Sequence, residues 1–406
     1  MTDLGQNPYS GPMAQTISPG FIAGVPSFFN LTAPAKPAKT ASRWPVSILG
    51  VPLDAVTMDE TLERIAEMVE SGRPHYVVTP NVDFLVQART NPELHRILCE
   101  ADLALCDGQP LVWASRWLGN PLPERVAGSD LAPRMLAQAE KKGHRIYLLG
   151  ATEDSNAEAC RRLEEQYPKL QIAGHYSPPI APLDKMDHES MICRIRAAEP
   201  DILIVAFGCP KQERWIARNY RALGVPVCIG LGATIDFLAG RVSRAPVWMQ
   251  RSGLEWTYRL AQEPRRLFHR YWTDVRCFGT ALLAQWWSLG WRMRAAARGA
   301  IKITSTDARW QHVRASGTLD RAALENAQEA SRVGEDETRD CQLELSDVES
   351  IDSTGVAALT MWQRKLRRAG HRLVLFRPNG RVRQLLRDAG LTHLETSDLP
   401  QTGSAA

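Results

Sequence analysis

Short apolar, β-branched runs alternate with longer segments of helical periodicity from Val46 to about Gly232. This alternation is typical of a parallel sheet covered by helices. We therefore predict an α/β, Rossmann-like fold with a mainly parallel sheet and flanking helices. The predicted strands are 46–49, 75–79, 103–106, 145–149, 171–174, 201–206 and 226–229, and the predicted helices are 58–70, 82–89, 109–117, 130–141, 154–166, 185–198 and 211–221.

Polar or glycine-rich segments follow five of these strands. In a parallel sheet, ligands bind in the crevice at the carboxyl ends of the strands, so the five segments should converge on one rim. The segments are Thr79-Pro80-Asn81, Asp107-Gly108-Gln109, Gly150-Ala151-Thr152, Gly208 to Glu213 and Gly230 to Thr234. We take as substrate-binding candidates Gln109, Gly150, Lys211, Gly232 and, slightly downstream, Asp236.

The pair Gly230-x-Gly232 is open to two interpretations. It could begin a dinucleotide-binding turn, but the third glycine of that fingerprint is absent and no acidic residue follows at the expected spacing. A tight strand-to-helix turn explains these glycines equally well. The sequence therefore gives little support to a dehydrogenase.

Asp107 also has two interpretations. It ends an apolar run and precedes Gly108, so a turn carries its carboxylate to the rim of the sheet. Asp is a favoured helix N-cap, and Asp107 could cap the predicted helix 109–117. A carboxylate at the rim could instead act as a general base towards a substrate hydroxyl.

Positive charge is concentrated in one stretch, although the net charge of the whole chain is only +4. Residues 241–298 contain eleven arginines against three acidic residues, with many aromatic residues among them. A Trp- and Arg-rich face suits a helix at a membrane surface. Nucleic acid would also suit this composition, but no nucleic-acid-binding motif accompanies it, and we expect none to be bound. The stretch up to Ala297 could alternatively be a helical linker packed against protein.

The remaining composition indicates a cytosolic chain without metal or cofactor. The first 44 residues are rich in Pro, Ala, Ser and Thr without a secretory pattern, and we expect a disordered leader over 1–44 and a disordered tail over 397–406. The eight cysteines form no CxxC pair and are interpreted as reduced core residues. The nine histidines are scattered, and there is no Asp-x-Asp motif.

A second α/β pattern begins near Ala300 and ends near Glu395. Its predicted strands are 301–304, 311–316, 341–345 and 372–376, and its predicted helices are 320–331, 353–369 and 380–389. About 95 residues are enough for a small domain of its own.

Five ordered blocks resemble the WecG/TagA/CpsF glycosyltransferase family: Thr79-Pro80-Asn81, Asp107-Gly108, Glu124 to Asp130, Gly208 to Glu213, and Arg244 to Arg259. The resemblance implies an inverting transferase that moves a sugar of N-acetylhexosamine or uronic type from a UDP-sugar to a polyprenyl-pyrophosphate-linked acceptor, for cell-surface polysaccharide or exopolysaccharide synthesis. It also implies that the segment after residue 244 brings the enzyme to its lipid substrate, peripherally on the inner face of the cytoplasmic membrane.

The resemblance also implies roles for individual residues. Asp107 would be the catalytic base, and Thr79 with Asn81 would line the pocket. Gln212 would contact the donor, and Arg125 would lie near the diphosphate. The departing UDP would be neutralised without a metal by arginines of the basic stretch, and we choose Arg259, Arg265 and Arg266.

The stretch from Leu343 to Leu359 resembles the STAS domain of anti-sigma-factor antagonists, whose Asp-Ser-Ser/Thr-Gly turn carries a regulatory phosphoserine. That match implies that Ser353 is phosphorylatable and that the domain binds a protein partner. Asp352 and Ser353 are also ordinary residues for the start of a helix.

The sequence thus predicts a leader (1–44), a glycosyltransferase domain (45–243), a basic aromatic appendage and linker (244–299), a STAS domain (300–396) and a tail (397–406). We expect the transferase to work without the STAS domain, because every catalytic candidate precedes residue 300. The alternative is a regulatory scaffold whose transferase domain has decayed, but Thr79, Asn81, Asp107 and Gln212 are all present.

Overall fold

The computed structural model describes residues 44–242, 245–246, 249, 255–262, 264–290, 299–333 and 338–396. The predicted tail, and the predicted leader except Trp44, lie outside these ranges. Trp44 is buried, so the ordered chain begins one residue earlier than predicted.

The described chain opens with a β-hairpin of β1 (Val46–Ile48) and β2 (Val51–Leu53). Leu49 and Gly50 form its turn with φ values of 51° and 84°. The prediction that 46–49 belongs to the parallel sheet is therefore wrong, because this strand turns back on itself instead of crossing over.

Six parallel strands form the main sheet: β3 (His75–Val78), β4 (Leu103–Ala104), β5 (Arg145–Gly150), β6 (Gln171–Tyr176), β7 (Ile202–Ala206) and β8 (Val227–Gly230). Their order across the sheet is β4-β3-β8-β7-β5-β6. The α/β, Rossmann-like fold predicted for this part is confirmed.

Nine helices accompany the sheet: α1 (Met58–Glu70), α2 (Val82–Ala88), α3 (Pro92–Glu100), α4 (Gln109–Trp117), α5 (Gly128–Lys142), α6 (Glu153–Gln166), α7 (His188–Ala198), α8 (Lys211–Leu223) and α9 (Thr234–Leu238). Alternate residues of β7 show how they divide between two layers. Leu203 and Val205 face the core under α2, α3, α4, α7 and α8, whereas Ile202 and Ile204 face the core under α1, α5, α6 and α9.

Two further helices belong to the basic, aromatic stretch, namely α10 (Glu255–Gln262) and α11 (Pro264–Gly290). Helix α11 packs against α2 through buried Phe278 and Leu282. Near its end, the Gln285 side chain bonds the backbone of the hairpin, at Leu49 N (2.9 Å) and Ser47 O (2.9 Å). This part of the stretch is therefore attached to the fold, as the linker interpretation required.

The C-terminal part is a mixed five-stranded sheet in the order β13-β12-β11-β10-β9. Only β9 is antiparallel to its neighbour. The predicted helix 320–331 is divided at Ala327. The elements are β9 (Ala300–Thr306), β10 (Trp310–Leu319), α12 (Arg321–Asn326), α13 (Gln328–Arg332), β11 (Asp340–Ile351), α14 (Ser353–Arg368), β12 (Leu373–Phe376), α15 (Gly380–Asp388) and β13 (Glu395–Thr396).

All described residues belong to one compact unit. Helix α14 packs against β1, β2 and α3, and Trp44 enters the core of the C-terminal sheet, edge-on to Trp362 at 6.3 Å. The boundary near residue 300 stays a prediction, but the two parts that it separates are in extensive contact.

Candidate active site

The carboxyl ends of β4, β3 and β8 lie side by side, and their following residues meet at the start of α5. A Cβ placed on Gly128, the first residue of α5, would lie 3.8 Å from both Asp107 Oδ2 and Thr79 Cγ2. The same position would be 2.9 Å from Leu231, which follows β8. The rim predicted from the strand ends therefore brings Asp107 and Thr79 together, and a glycine leaves room between them.

Asp107 is half-buried and held at both ends. Its backbone N–H donates to Pro80 O (2.9 Å), and its Oδ2 accepts a hydrogen bond from Gly128 N (3.2 Å). The N-cap of α4 is Gly108, without a side-chain cap. The capping interpretation of Asp107 for helix 109–117 is therefore wrong; the carboxylate instead faces the N-terminus of α5, whose positive dipole end favours an anion.

Thr79 and Asn81 lie on either side of Pro80. The Thr79 hydroxyl donates to Gly230 O (3.3 Å) and is buried, which joins the ends of β3 and β8. Asn81 is the N-cap of α2, and its Oδ1 accepts from Phe84 N (3.3 Å). Asn81 also lies close to Gly108, so both residues border the turn that carries Asp107.

Gln212 joins the loops that follow β7 and β8. Its Oε1 accepts hydrogen bonds from Gly208 N and Gly232 N, both at 3.1 Å, and its Nε2 donates to Glu213 Oε1 (2.7 Å). It is 2% exposed. In this structure the amide thus holds Gly232 and Gly208 in place, and direct contact with a donor stays a prediction.

Glu213 is a residue that the sequence analysis did not select. It is buried beside Gln212, and this burial raises the pKa of its carboxyl from 4.5 to about 7, although the hydrogen bond from Gln212 acts in the opposite direction. Its position next to Gln212 was the only available signal. A carboxyl of this kind is half-protonated near neutral pH, beside the loops that shape the rim.

Arg125 links the core to the basic stretch. Its Nη2 lies 2.7 Å from Asp130 Oδ2 at the start of α5, and its Nη1 lies 3.3 Å from Glu255 Oε2 at the start of α10. The guanidinium is largely buried between these carboxylates. A role near a diphosphate stays a prediction and would require exchange of at least one of these partners.

The other candidates are spread along the rim. Gly150 ends β5 with φ +107°, and its carbonyl accepts from Asn156 Nδ2 and Ser177 Oγ, both at 3.0 Å. Lys211 is committed elsewhere, since its Nζ donates to Ala181 O (2.7 Å). The half-buried Gln109 and Asp236 lie on α4 and α9.

The predicted phosphate-neutralising arginines lie on the appendage. Arg265 is exposed at the start of α11. The side chains of Arg259 and Arg266 lie outside the described part of the structure. No group of three or more His, Cys, Asp or Glu among the described residues is arranged to hold a metal ion.

Helix α11 presents an apolar face to solvent. Its exposed side chains include Phe268, Trp272, Val275, Leu283 and Trp287. Trp256 of α10 is also exposed and meets Tyr271 edge-on at 6.0 Å. Among the described helices, none combines the length and the apolar character that crossing a bilayer requires.

A Rossmann-like parallel sheet, a carboxylate at its rim and a basic aromatic appendage together define an α/β glycosyltransferase. The family model "Glycosyl transferase WecG/TagA/CpsF family" matches residues 46–291, and the chain belongs to this family. A second model, described as "Mlab, STAS domain", matches residues 304–396, so the C-terminal sheet is a STAS domain.

Two relatives carry the same name, N-acetylglucosaminyldiphosphoundecaprenol N-acetyl-beta-D-mannosaminyltransferase. The protein of Bacillus spizizenii is 33% identical over 198 residues, which cover 49% of this chain and 75% of that protein. The protein of Staphylococcus aureus strain MW2 is 30% identical over 224 residues, which cover 55% and 86%.

One solved structure aligns with part of the chain. It is the anti-sigma factor antagonist SpoIIAA in its unphosphorylated form, with 19% identity and a TM-score of 0.23, covering 25% of this chain and 90% of that structure.

Proposed function

We propose that the chain transfers a sugar with inversion from a UDP-sugar to a polyprenyl-pyrophosphate-linked acceptor, in the synthesis of a cell-surface polysaccharide. The names of the two relatives support an N-acetylhexosamine as the sugar and N-acetylglucosaminyl-diphosphoundecaprenol as the acceptor. The observation that carries the proposal is the placement of Asp107 beside Thr79, at the N-terminus of α5.

The proposed reaction is a single displacement. Asp107 accepts the proton of the acceptor hydroxyl, whose oxygen attacks the anomeric carbon of the donor while the bond from that carbon to UDP breaks. The leaving UDP is an anion, and helix N-termini and arginines can stabilise it. The start of α5, which already faces a carboxylate, and the arginines of α10 and α11 are positioned to contribute.

The proposed place of work is the inner surface of the cytoplasmic membrane. The lipid-linked acceptor of the relatives supports this placement, and so does the exposed apolar face of α11 beside basic residues. Aromatic side chains settle at the level of the lipid headgroups, and arginines are attracted to anionic lipids.

A regulatory role for the STAS domain is proposed with one structural condition. Ser353 begins α14 and is 1% exposed, and its hydroxyl has no hydrogen-bond partner among the described residues. Asp352, the N-cap of this helix, accepts from Gly355 N (2.7 Å). A kinase therefore needs a local opening of this turn to reach Ser353, and its phosphorylation stays a prediction.

The test uses purified full-length protein, UDP-N-acetylhexosamines and a prenyl-diphosphate-linked N-acetylglucosamine, with release of UDP as the readout. Asp107→Asn should lower turnover by roughly 10²–10⁴, because the base is removed while an oxygen can still accept from Gly128 N. The control is Asp201→Asn, since Asp201 accepts from Arg145 N (2.7 Å) at the opposite edge of the sheet. Turnover of Asp107→Asn within a few-fold of wild type would rule out the base.

A further inference from the structure

Helix α14 of the STAS domain presents a row of arginines to the transferase. Arg364 is the most buried of them, at 8% exposure. Its Nε lies 2.6 Å from Cys99 O and its Nη2 lies 3.2 Å from Leu98 O, so it binds carbonyls of the last turn of α3. Its Nη1 is 3.4 Å from Asp54 Oδ2. A guanidinium suits the negative end of a helix dipole, and here it also neutralises a carboxylate.

The next turn of α14 continues this contact. Arg368 Nε lies 2.6 Å from Asp102 Oδ1, and its Nη2 donates to Asp102 O (3.1 Å). Asp102 in turn accepts from Tyr76 N through Oδ2 (2.8 Å). Arg367 pairs with Glu100 between these sites. The arginines of α14 therefore hold the whole segment that joins α3 to β4.

Strand β4 needs such support because it is only two residues long and lies at the edge of the sheet. Its outer side is bound by Asp54, which exchanges two hydrogen bonds with Ala104: Asp54 N to Ala104 O (2.9 Å) and Ala104 N to Asp54 Oδ2 (2.8 Å). The same Oδ2 is the atom that Arg364 approaches. Asp107 follows β4 by three residues.

We propose that Arg364 and Arg368 are positioning residues for Asp107, so that the STAS domain is a working part of the transferase. The partner that this face of α14 fits is the transferase domain of the same chain: a helix C-terminus flanked by two aspartates. The inference rests on the proposed function for the role of Asp107. It replaces the expectation that the transferase works without the STAS domain.

The mechanism is mechanical coupling along one edge strand. Without the arginines, Asp54 and Asp102 face each other's strand without a counter-charge, and the carbonyls at the end of α3 lose their donors. The register of β4 is then held only by its bonds to β3. Asp107 shifts or moves relative to Thr79 and Gly128, which reduces the fraction of molecules with the base in place.

The experiment compares full-length Arg364→Met/Arg368→Met with Arg383→Met. The control removes an arginine whose partner, Glu395, belongs to the STAS domain itself. Amide hydrogen exchange is followed at Leu105 and Asp107, which donate to Val78 O and Pro80 O. The double variant should exchange at least ~10-fold faster at these two amides, with no change at Ile204 and Ile229 of the central strands.

Kinetics give the second readout. The double variant should lower kcat by ~10–10² with the donor KM changed by less than ~3-fold, because the pocket remains and the base is misplaced. Arg364→Lys should restore part of the loss, since it keeps a charge near Asp54. Unchanged exchange at Leu105 and Asp107, or equal acceleration at all four amides, would refute the positioning role. If wild-type protein transfers no sugar, the proposed function fails, while the exchange result still decides the coupling.

Discussion

Glu213→Gln tests whether burial of this carboxyl controls stability. The folded protein holds the pKa of Glu213 at about 7 because burial disfavours its charged form, whereas the ordinary value is 4.5. Below pH 4.5 the carboxyl is protonated in both the folded and the unfolded chain. Between 4.5 and 7 only the unfolded chain releases the proton, so the stability contributed by this group falls with rising pH. Above 7 both forms are ionised and the difference stays constant.

The difference between about 7 and 4.5 corresponds to about 3 kcal/mol, at 1.36 kcal/mol for each pH unit. Glutamine does not titrate, and its side-chain oxygen can still accept from Gln212 Nε2. Relative to wild type, the variant should therefore gain about 2–3 kcal/mol between pH 5 and pH 8, which is roughly 5 °C in Tm for a chain of this size.

The assay is thermal unfolding of both proteins at several values between pH 4.5 and 9. The matched control is Glu164→Gln, an exposed glutamate on α6, whose difference from wild type should not vary with pH. A constant Tm difference between Glu213→Gln and wild type across this range would refute the reasoning. It would mean that Glu213 is solvated or paired with a cation in solution.

Three further changes test other parts of the structure. Gly150→Ala should cost at least about 1–3 kcal/mol in thermal unfolding, because φ is +107° and the new Cβ would lie 2.6 Å from Ala206 O; Gly224→Ala, with φ +67° and open space, should cost less. Trp44→Ala should cost about 3–5 kcal/mol by removing a large side chain from the STAS core, and an unchanged Tm would contradict this packing. Phe268→Ser/Trp272→Ser should weaken binding to anionic vesicles by at least ~10-fold, whereas exposed Ile180→Ser should not; equal binding of both would remove the membrane role of α11.

Much of the fold is readable from the sequence because buried parallel strands are continuous apolar runs. Helix α1 is predicted to the residue, and its ends are set by the capping box of Thr57 and Glu60. Helix α3 was missed, although Asn91 caps it and Pro92 opens it, because it follows α2 so closely. Strand β2 was missed because the hairpin turn depends on a positive φ at Leu49, which no local residue preference announces.

The candidate site is predictable in position but not in detail. The rule that ligands bind at carboxyl strand ends places Asp107, Thr79 and Gln212 on one rim. The inward orientation of Gln212, however, depends on the backbone N–H groups of Gly208 and Gly232 from two different loops. Likewise, Arg364 and Arg368 look like the solvated face of an ordinary helix, because their partners lie more than 260 residues earlier in the chain.

The insertion of Trp44 into the STAS core has a consequence for how the protein is made. Trp44 leaves the ribosome first, whereas its partner Trp362 is added 318 residues later. At bacterial synthesis rates of ~5–20 residues per second, this interval is roughly 15–60 s. During that time the nascent transferase carries an exposed tryptophan and an edge strand without its outer support. We expect newly made chains to be a chaperone substrate until the last hundred residues appear, and prematurely terminated chains to be removed by proteases.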